Sequence, residues 1–461
     1  MGNNKLPIYQ TLYRYYKNEI KSGKLAKGSR LPSIRQLSKD GAYSRTTVEA
    51  AYEMLCADGY VECRPQSGYY VCEFYKNQKI AAPAPAKRWE EPFYRYDFSG
   101  KRMDETTFAF DVWRKMARRV MQNSAPFMAY GAPQGETQLR QQIAKYLAAG
   151  RGVYPNEANI LIGAGVQSLL HILCELFDKQ RTTVAFEDPG FRKGFRIVKD
   201  HGITTVFVKG EQDGIDIERL YASGANVLYL SPSHSFPAGA TLPAAKRVQL
   251  LAWAETVNGF LIEDDYDGEL RYSGKPLATL KSGDAGEHVI YLGTFSKLLP
   301  PSIRISYMVL PDRLLEDYYK ISKFYNQTSS TMEQLTMAKF IEDGLLEKQI
   351  RRLRRVYSRK NDAITKAFSV LFGQEAEVAP NDTGLHVTVR LHLGIRAETL
   401  CAAAEAAGIH IIPMSNYNLS EQTDGSADVY MSCASIREED ILPAVKELKA
   451  IWTSIKGGNE S

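Results

Sequence analysis

No apolar run in this chain of 461 residues is long enough to span a membrane, and its opening residues, MGNNKLPIYQ, lack the apolar core of a secretory leader. A cytoplasmic protein is therefore expected. Cysteine is sparse: Cys56, Cys63, Cys72, Cys174, Cys401 and Cys433 show no CxxC spacing, which excludes a disulfide framework or a zinc ribbon. The seven histidines form no HxxxH pair, so no metal is expected. A strong excess of one charge is lacking too, since the formal net charge is +5. That excess is uneven, however: residues 1–75 carry eleven Lys and Arg against seven Asp and Glu. A basic module on a nearly neutral body points to a polyanion partner for the module alone.

With 461 residues, 44% of them hydrophobic, the chain can bury two or three cores. In the basic module, Ile8, Leu12, Tyr15, Tyr16 and Ile20 recur at helical spacing and Gly23 follows as a stop. Pro32 and Ser33 open a second helix that turns Ile34 and Leu37 inward and leaves Arg30 and Arg35 to solvent. Ser44 caps a third, which buries Val48, Ala51 and Leu55. Two short helices across a tight turn make a helix-turn-helix, whose second helix would present Ser44, Arg45, Thr46 and Thr47 to base edges and phosphates. DGYVECRPQSGYYVCE then reads as a β-hairpin whose tip, from Arg64 through Ser67 to Gly68, is a wing able to touch phosphates. Leu31, Pro32, Ser33, Arg35 and Leu37, the run Ser44 to Val48, Gly59 to Val61, and Ser67, Gly68, Tyr70 and Val71 together resemble the winged helix-turn-helix of the GntR family. Gly41, Ala42 and Tyr43 depart from the usual turn.

Residues 76–93 alternate Pro and Ala with charges and no apolar period, as in a semi-rigid linker. Beyond it, seven strand-like runs (NILIGA, TTVAF, ITTVFV, NVLYLS, GFLIEDD, HVIYLG, RISYMVL) alternate with helical ones. This is the pattern of an α/β domain with a mostly parallel sheet, whose ligands gather at the carboxyl ends of strands. Gly163 and Gly165 precede a helix, so the free amides of Gly165 and Val166 can cradle a phosphate, although such a turn is more often only structural. In GFLIEDDYDGEL an apolar strand ends in Glu263, Asp264 and Asp265, followed by Tyr266. Side chains two apart on a strand share a face, so Asp264 and Tyr266 form one pair, with Asp265 as the substitute if the strand bends. A metal-binding acidic cluster is the alternative, without a histidine partner in the pattern.

YLGTFSKLLPPSIRISYMVL holds Lys297 in a constrained connection beside Thr294 and Ser296, with Arg304 seven residues on. A positioned amine next to hydroxyls and a guanidinium suits an aldehyde cofactor that carries a phosphate. The segment resembles the lysine turn of fold-type-I pyridoxal 5'-phosphate (PLP) enzymes. That resemblance implies Lys297 as the catalytic, cofactor-linking amine, Arg304 on the phosphate, Asp264 on the pyridine nitrogen, Tyr266 on the ring hydroxyl and Phe191 stacked on the ring. Tyr130, Gly131, Gly135, Leu139 and Arg140 likewise resemble the first segment of the aminotransferase fold.

A GntR-type winged helix at 1–75, a linker at 76–93 and an aminotransferase-like domain at 94–461 match the arrangement of the MocR/GabR family of transcription regulators. The implied fold is multidomain: an α+β winged helix-turn-helix, then an α/β PLP-dependent transferase domain of fold type I with a small α+β subdomain from about residue 350. The resemblance further implies PLP as cofactor, double-stranded operator DNA and a small-molecule effector as partners, and a homodimer. Two departures bear on the chemistry. In SPSHSFPAG, Phe236 stands where aminotransferases carry an asparagine, leaving its contact to the ring hydroxyl absent or supplied by His234 or Ser235. In DVYMSCASI, Tyr430 stands where an arginine clamps a substrate carboxylate. A tyrosine lacks that charged fork, which favours a sensor over a catalyst. The effector is then PLP itself, an amino acid anchored elsewhere, as on Arg192, Lys193 or Arg437, or a small peptide. A working aminotransferase with an accessory DNA-binding domain, and a DNA-binding scaffold that has lost PLP, are the other readings.

Overall fold

In the computed structural model, residues 7–41, 43–73, 92–211, 213–272, 278–379, 385–420 and 427–458 are described. They fall into two units, Met1–Glu91 and Pro92–Ser461. The stretch read as a linker, 76–93, lies outside the described residues apart from Pro92 and Phe93.

The first unit begins with α1 (Ile8–Ser22), closed by Gly23 in the left-handed conformation at φ 81°. Its buried face is Leu12, Tyr13, Tyr16 and Ile20. Tyr13 is inside and Tyr15, 56% exposed, is outside, the reverse of the expected stripe; Ile8 is exposed as well. Helix α2 (Ile34–Asp40) is capped by Ser33, whose side chain accepts from Gln36 N. Helix α3 (Arg45–Ala57) is capped by Ser44, which accepts from Thr47 N. Val48, Ala51 and Leu55 are fully buried against Tyr52 and Leu31. Strands β1 (Val61–Arg64) and β2 (Gly68–Val71) pair antiparallel, and Arg64 faces Gly68 at the tip.

The second unit is built on an eight-stranded sheet: β3 (Ile160–Gly163), β4 (Thr183–Asp188), β5 (Thr204–Glu211), β6 (Gly214–Ile215), β7 (Val227–Leu230), β8 (Phe260–Asp265), β9 (Val289–Thr294) and β10 (Ser306–Val309). Their spatial order is β3-β10-β9-β8-β7-β4-β5-β6. The five central strands β9, β8, β7, β4 and β5 run parallel, while β10 is antiparallel to both of its neighbours. All seven strands expected from apolar runs are present; the two-residue β6 had no such signal. Nearly every residue of β7 to β10 is buried, which is why these strands read as continuous apolar runs rather than alternating ones. Helix α4 (Val166–Leu176) follows β3, and α5 (Arg192–Asp200) follows β4.

The 28-residue α6 (Leu345–Phe372) leads into a smaller antiparallel sheet of β11 (Ala376–Val378), β12 (His386–Leu391), β13 (Ile412–Pro413) and β14 (Asp428–Ser432), in the order β11-β12-β14-β13. Helix α7 (Glu438–Gly458) packs along α6. No helix among the described residues is long and apolar enough to cross a membrane.

Candidate functional site

The carboxyl ends of β3, β4, β7, β8 and β9 share one edge of the sheet, and the expected cofactor residues follow them. Each parallel strand can send one loop to that edge. Lys297 lies three residues beyond β9 and is half-buried. Loss of hydration lowers its pKa below the usual lysine value, against the opposing fields of Asp267 and Asp264, and Lys193 lowers it further. A lysine held this way offers its neutral amine more readily.

Asp264, at the end of β8, is buried, and Tyr229 donates its hydroxyl proton to Oδ2. Its Oδ1 has no hydrogen-bond partner among the described residues. Burial raises its pKa to about 7, offset in part by the bond from Tyr229 and by Lys297. Phe191 stacks on Tyr229 with centroids 5.7 Å apart and the rings at 24°, so Phe191, Tyr229 and Asp264 form one connected wall. Asp265 belongs to the opposite face. It accepts from Tyr291 at 2.5 Å and pairs with Arg151 at 2.5 Å, both partners deeply buried.

At the end of β3, Gly165 has φ 95° and ψ 161° and serves as the N-cap of α4. A Cβ there would collide with the guanidinium of Arg304, whose Nη2 donates to Ala164 O at 2.8 Å. Gly165, the free amides opening α4 and Arg304 are thus brought together as an anion cradle. The Thr294 hydroxyl accepts from Ser296 N at 3.2 Å and from the Ser306 hydroxyl at 2.7 Å. With both lone pairs taken, Thr294 gives its proton to Ser296 Oγ at 2.9 Å. The Ser296 O–H is thereby left to donate elsewhere.

Tyr266, just past β8, places its hydroxyl 3.0 Å from His234 Nδ1, which is itself 2.7 Å from Asp267 Oδ2. His386 stacks on His234 at 4.7 Å, and Tyr430 on His386 at 4.6 Å. Phe236 and Tyr417 complete this group of rings edge-on, 4.9 Å apart. His234, Asp267 and His386 bring donor atoms within 4.8 Å of one another. The His234–Asp267 separation is nevertheless a direct hydrogen bond, shorter than the roughly 3.4 Å between two ligands about 2.1 Å from a tetrahedral ion. Of the proposed substitute anchors, Arg192 donates to Asn416 O and Arg437 is engaged by Asp440 and Glu439, while Lys193 is near enough to act on Lys297. Sequence reasoning missed Tyr229 and Asp267. The second carried a signal, as the next carboxylate in the acidic run.

In the first unit, Arg35, Arg45, Thr46 and Arg64 are exposed. Arg45 Nε donates to Glu49 at 2.8 Å, and Arg64 lies over the Tyr70 ring at 4.5 Å. Ser44 is occupied as the cap and also bonds Thr46 and Thr47 side chains, so it orders the first turn of α3. Ser67 bonds Tyr70 at the wing tip.

Residues 8–71 match the gntR family of bacterial regulatory proteins, and residues 100–448 match aminotransferase class I and II. The uncharacterized HTH-type transcriptional regulator YdeL of Bacillus subtilis is 36% identical over 97% of this chain and 97% of its own. The probable rhizopine catabolism regulatory protein MocR of Rhizobium meliloti is 28% identical over 89% of this chain and 87% of its own. Pyrococcus horikoshii kynurenine aminotransferase, crystallised in complex with PMP, superposes on 78% of this chain and 90% of its own with a TM-score of 0.70 and 25% identity.

Proposed function

This chain belongs to the MocR-type transcriptional regulators, which join a gntR-family helix-turn-helix to an aminotransferase class I and II domain, and we propose that it is a PLP-binding repressor or activator whose operator affinity answers to the state of its cofactor site. The observation that carries the reading is the coincidence of three features. A lysine of depressed pKa, a buried carboxylate oxygen with no partner, and a glycine cradle backed by an arginine all stand at one sheet edge.

These residues fit PLP. Lys297 would hold its aldehyde, Asp264 Oδ1 its pyridine nitrogen, Tyr266 its ring oxygen, and Gly165, Val166, Ser296 and Arg304 its phosphate, with Phe191 against the ring face. When bound, PLP supplies an electron sink and a covalent tether to amines. Asp264 would keep the pyridine nitrogen protonated, and the hydroxyls and Arg304 would orient the phosphate. With Tyr430 rather than a guanidinium on β14, an α-carboxylate lacks a charge-assisted clamp, which favours sensing over transamination.

In the DNA-binding unit, Arg35, Arg45, Thr46, Thr47, Arg64 and Ser67 are the contacts we assign to operator DNA, with Ser44 holding the recognition helix. A homodimer is the assembly in which two such heads read two half-sites. The test is Lys297→Ala: it should abolish the visible band of bound PLP and leave cofactor-free operator affinity intact. A band that survives the substitution removes Lys297 from the site.

A further inference from the structure

We propose that His234 and Asp267 act as a positioning pair that makes Tyr266 a committed hydrogen-bond donor toward the PLP ring oxygen, filling the role of the asparagine that Phe236 replaces; the inference rests on the PLP reading above. Phe236 has no donor. The loop that carries it, after β7, instead delivers His234 to the Tyr266 hydroxyl.

The hydrogen-bond directions follow from the chemistry of the three groups. Asp267 as a carboxylate only accepts, so the 2.7 Å contact requires the proton to sit on His234 Nδ1. A protonated Nδ1 cannot accept from Tyr266, 3.0 Å away, so the phenol oxygen can only share that N–H as an acceptor. Its own proton is then left for another acceptor. An N–H directed at the phenol oxygen also polarises the O–H and strengthens the bond it donates. His234 Nε2 is buried without a partner among the described residues.

The pair is built into the fold. His234 and Asp267 are each 1% exposed. Arg151 ties Ser233, next to His234, at 3.1 Å to Asp265 on the strand that leads into Asp267. His386, held by its own bond to Pro237 O at 3.2 Å, stacks on the imidazole from the smaller sheet. The charged and titratable groups facing Tyr266 are Asp264, Asp267 and Tyr430, and those acting on Lys297 are Asp264, Asp267 and Lys193. Asp267 also competes for the Tyr266 proton, since it lies within hydrogen-bond reach of that hydroxyl. The His234 N–H bonded to Oδ2 draws charge from the same carboxylate and so weakens its pull on the phenol proton, although Asp267 Oδ1 has no partner among the described residues. Removing His234 therefore turns Tyr266 back toward Asp267 and away from the cofactor.

The experiment is a pH titration of the visible absorption band of the PLP-loaded full-length protein. A donor to the ring oxygen drains its negative charge and loosens its hold on the neighbouring proton at the Lys297 nitrogen. Losing a donor therefore raises the midpoint. His234→Ala, or His234→Phe if the smaller side chain disturbs folding, should raise it by about one pH unit. Adding Phe236→Asn to either should bring it back toward wild type. In a Tyr266→Phe background the His234 substitution should move it no further, which a merely electrostatic or structural role would not reproduce. Midpoints unchanged by the His234 substitutions, or an undiminished shift in the Tyr266→Phe background, overturn the inference and leave PLP binding standing. Absence of any band in the wild-type protein overturns PLP binding and this inference with it.

Discussion

Substituting Gly165 with alanine separates backbone geometry from side-chain chemistry in the phosphate cradle. The residue's φ of 95° and ψ of 161° lie in a region that only glycine enters without strain, so alanine should cost the folded protein about 1–3 kcal/mol. The new Cβ would also occupy the space of the Arg304 guanidinium, displacing it from Ala164 O. Charge-assisted hydrogen bonds contribute about 1.5–3 kcal/mol each, so one lost phosphate contact should weaken PLP binding roughly 10- to 100-fold. Absorption titration with PLP reads the affinity, and a thermal melt of the PLP-free variant reads the strain as a fall of a few degrees. Operator binding without PLP should be unchanged, since Gly165 is not in the DNA-binding unit. An affinity within twofold of wild type would refute the assignment of this turn to the phosphate.

Three other perturbations test separate parts of the structure. Lys297→Met should raise the melting temperature of the PLP-free protein at pH 7. Burial depresses the native pKa, so the penalty is complete below that value and vanishes as pH rises to the unfolded value near 10.5; melts that show no such convergence would contradict it. Arg45→Ala should weaken operator binding and reduce the slope of log affinity against log salt by about 0.9, with PLP binding unaffected; an unaltered slope would remove Arg45 from the phosphates. Arg151→Met should destabilise the body by about 3–5 kcal/mol by leaving Asp265 buried without its partner, and a wild-type melt would show that Tyr291 alone satisfies the carboxylate.

Much of this organisation is legible locally. Ser33 and Ser44 announce their helices because a hydroxyl before an apolar period satisfies an exposed amide. The central strands stand out because strands covered on both faces are apolar throughout. The period-two rule placed Asp264 and Asp265 on opposite faces, and the contacts of the two carboxylates differ accordingly. What stayed hidden depends on long-range contact. Tyr229 meets Asp264 from 35 residues away, and His234 meets Asp267 from 33, distances over which spacing says nothing. Tyr13 and Tyr15 are alike in polarity and size, so which one entered the core of the first unit was set by packing against α3 rather than by period. The Thr294 hydroxyl bonds Ser296 and, across the β9–β10 pairing, Ser306, contacts that its spacing from Lys297 does not announce.

In the proposed function the cofactor site and the operator site are coupled, and coupling between two binding equilibria is reciprocal. The direct measurement is operator affinity of the wild-type protein at zero and saturating PLP, paired with PLP affinity at zero and saturating operator. Each ligand should change the other's affinity, in the same direction and by the same factor. A visible PLP band accompanied by identical operator affinities, with or without PLP, would contradict PLP as the signal and leave the effector to be sought among amines that react at Lys297.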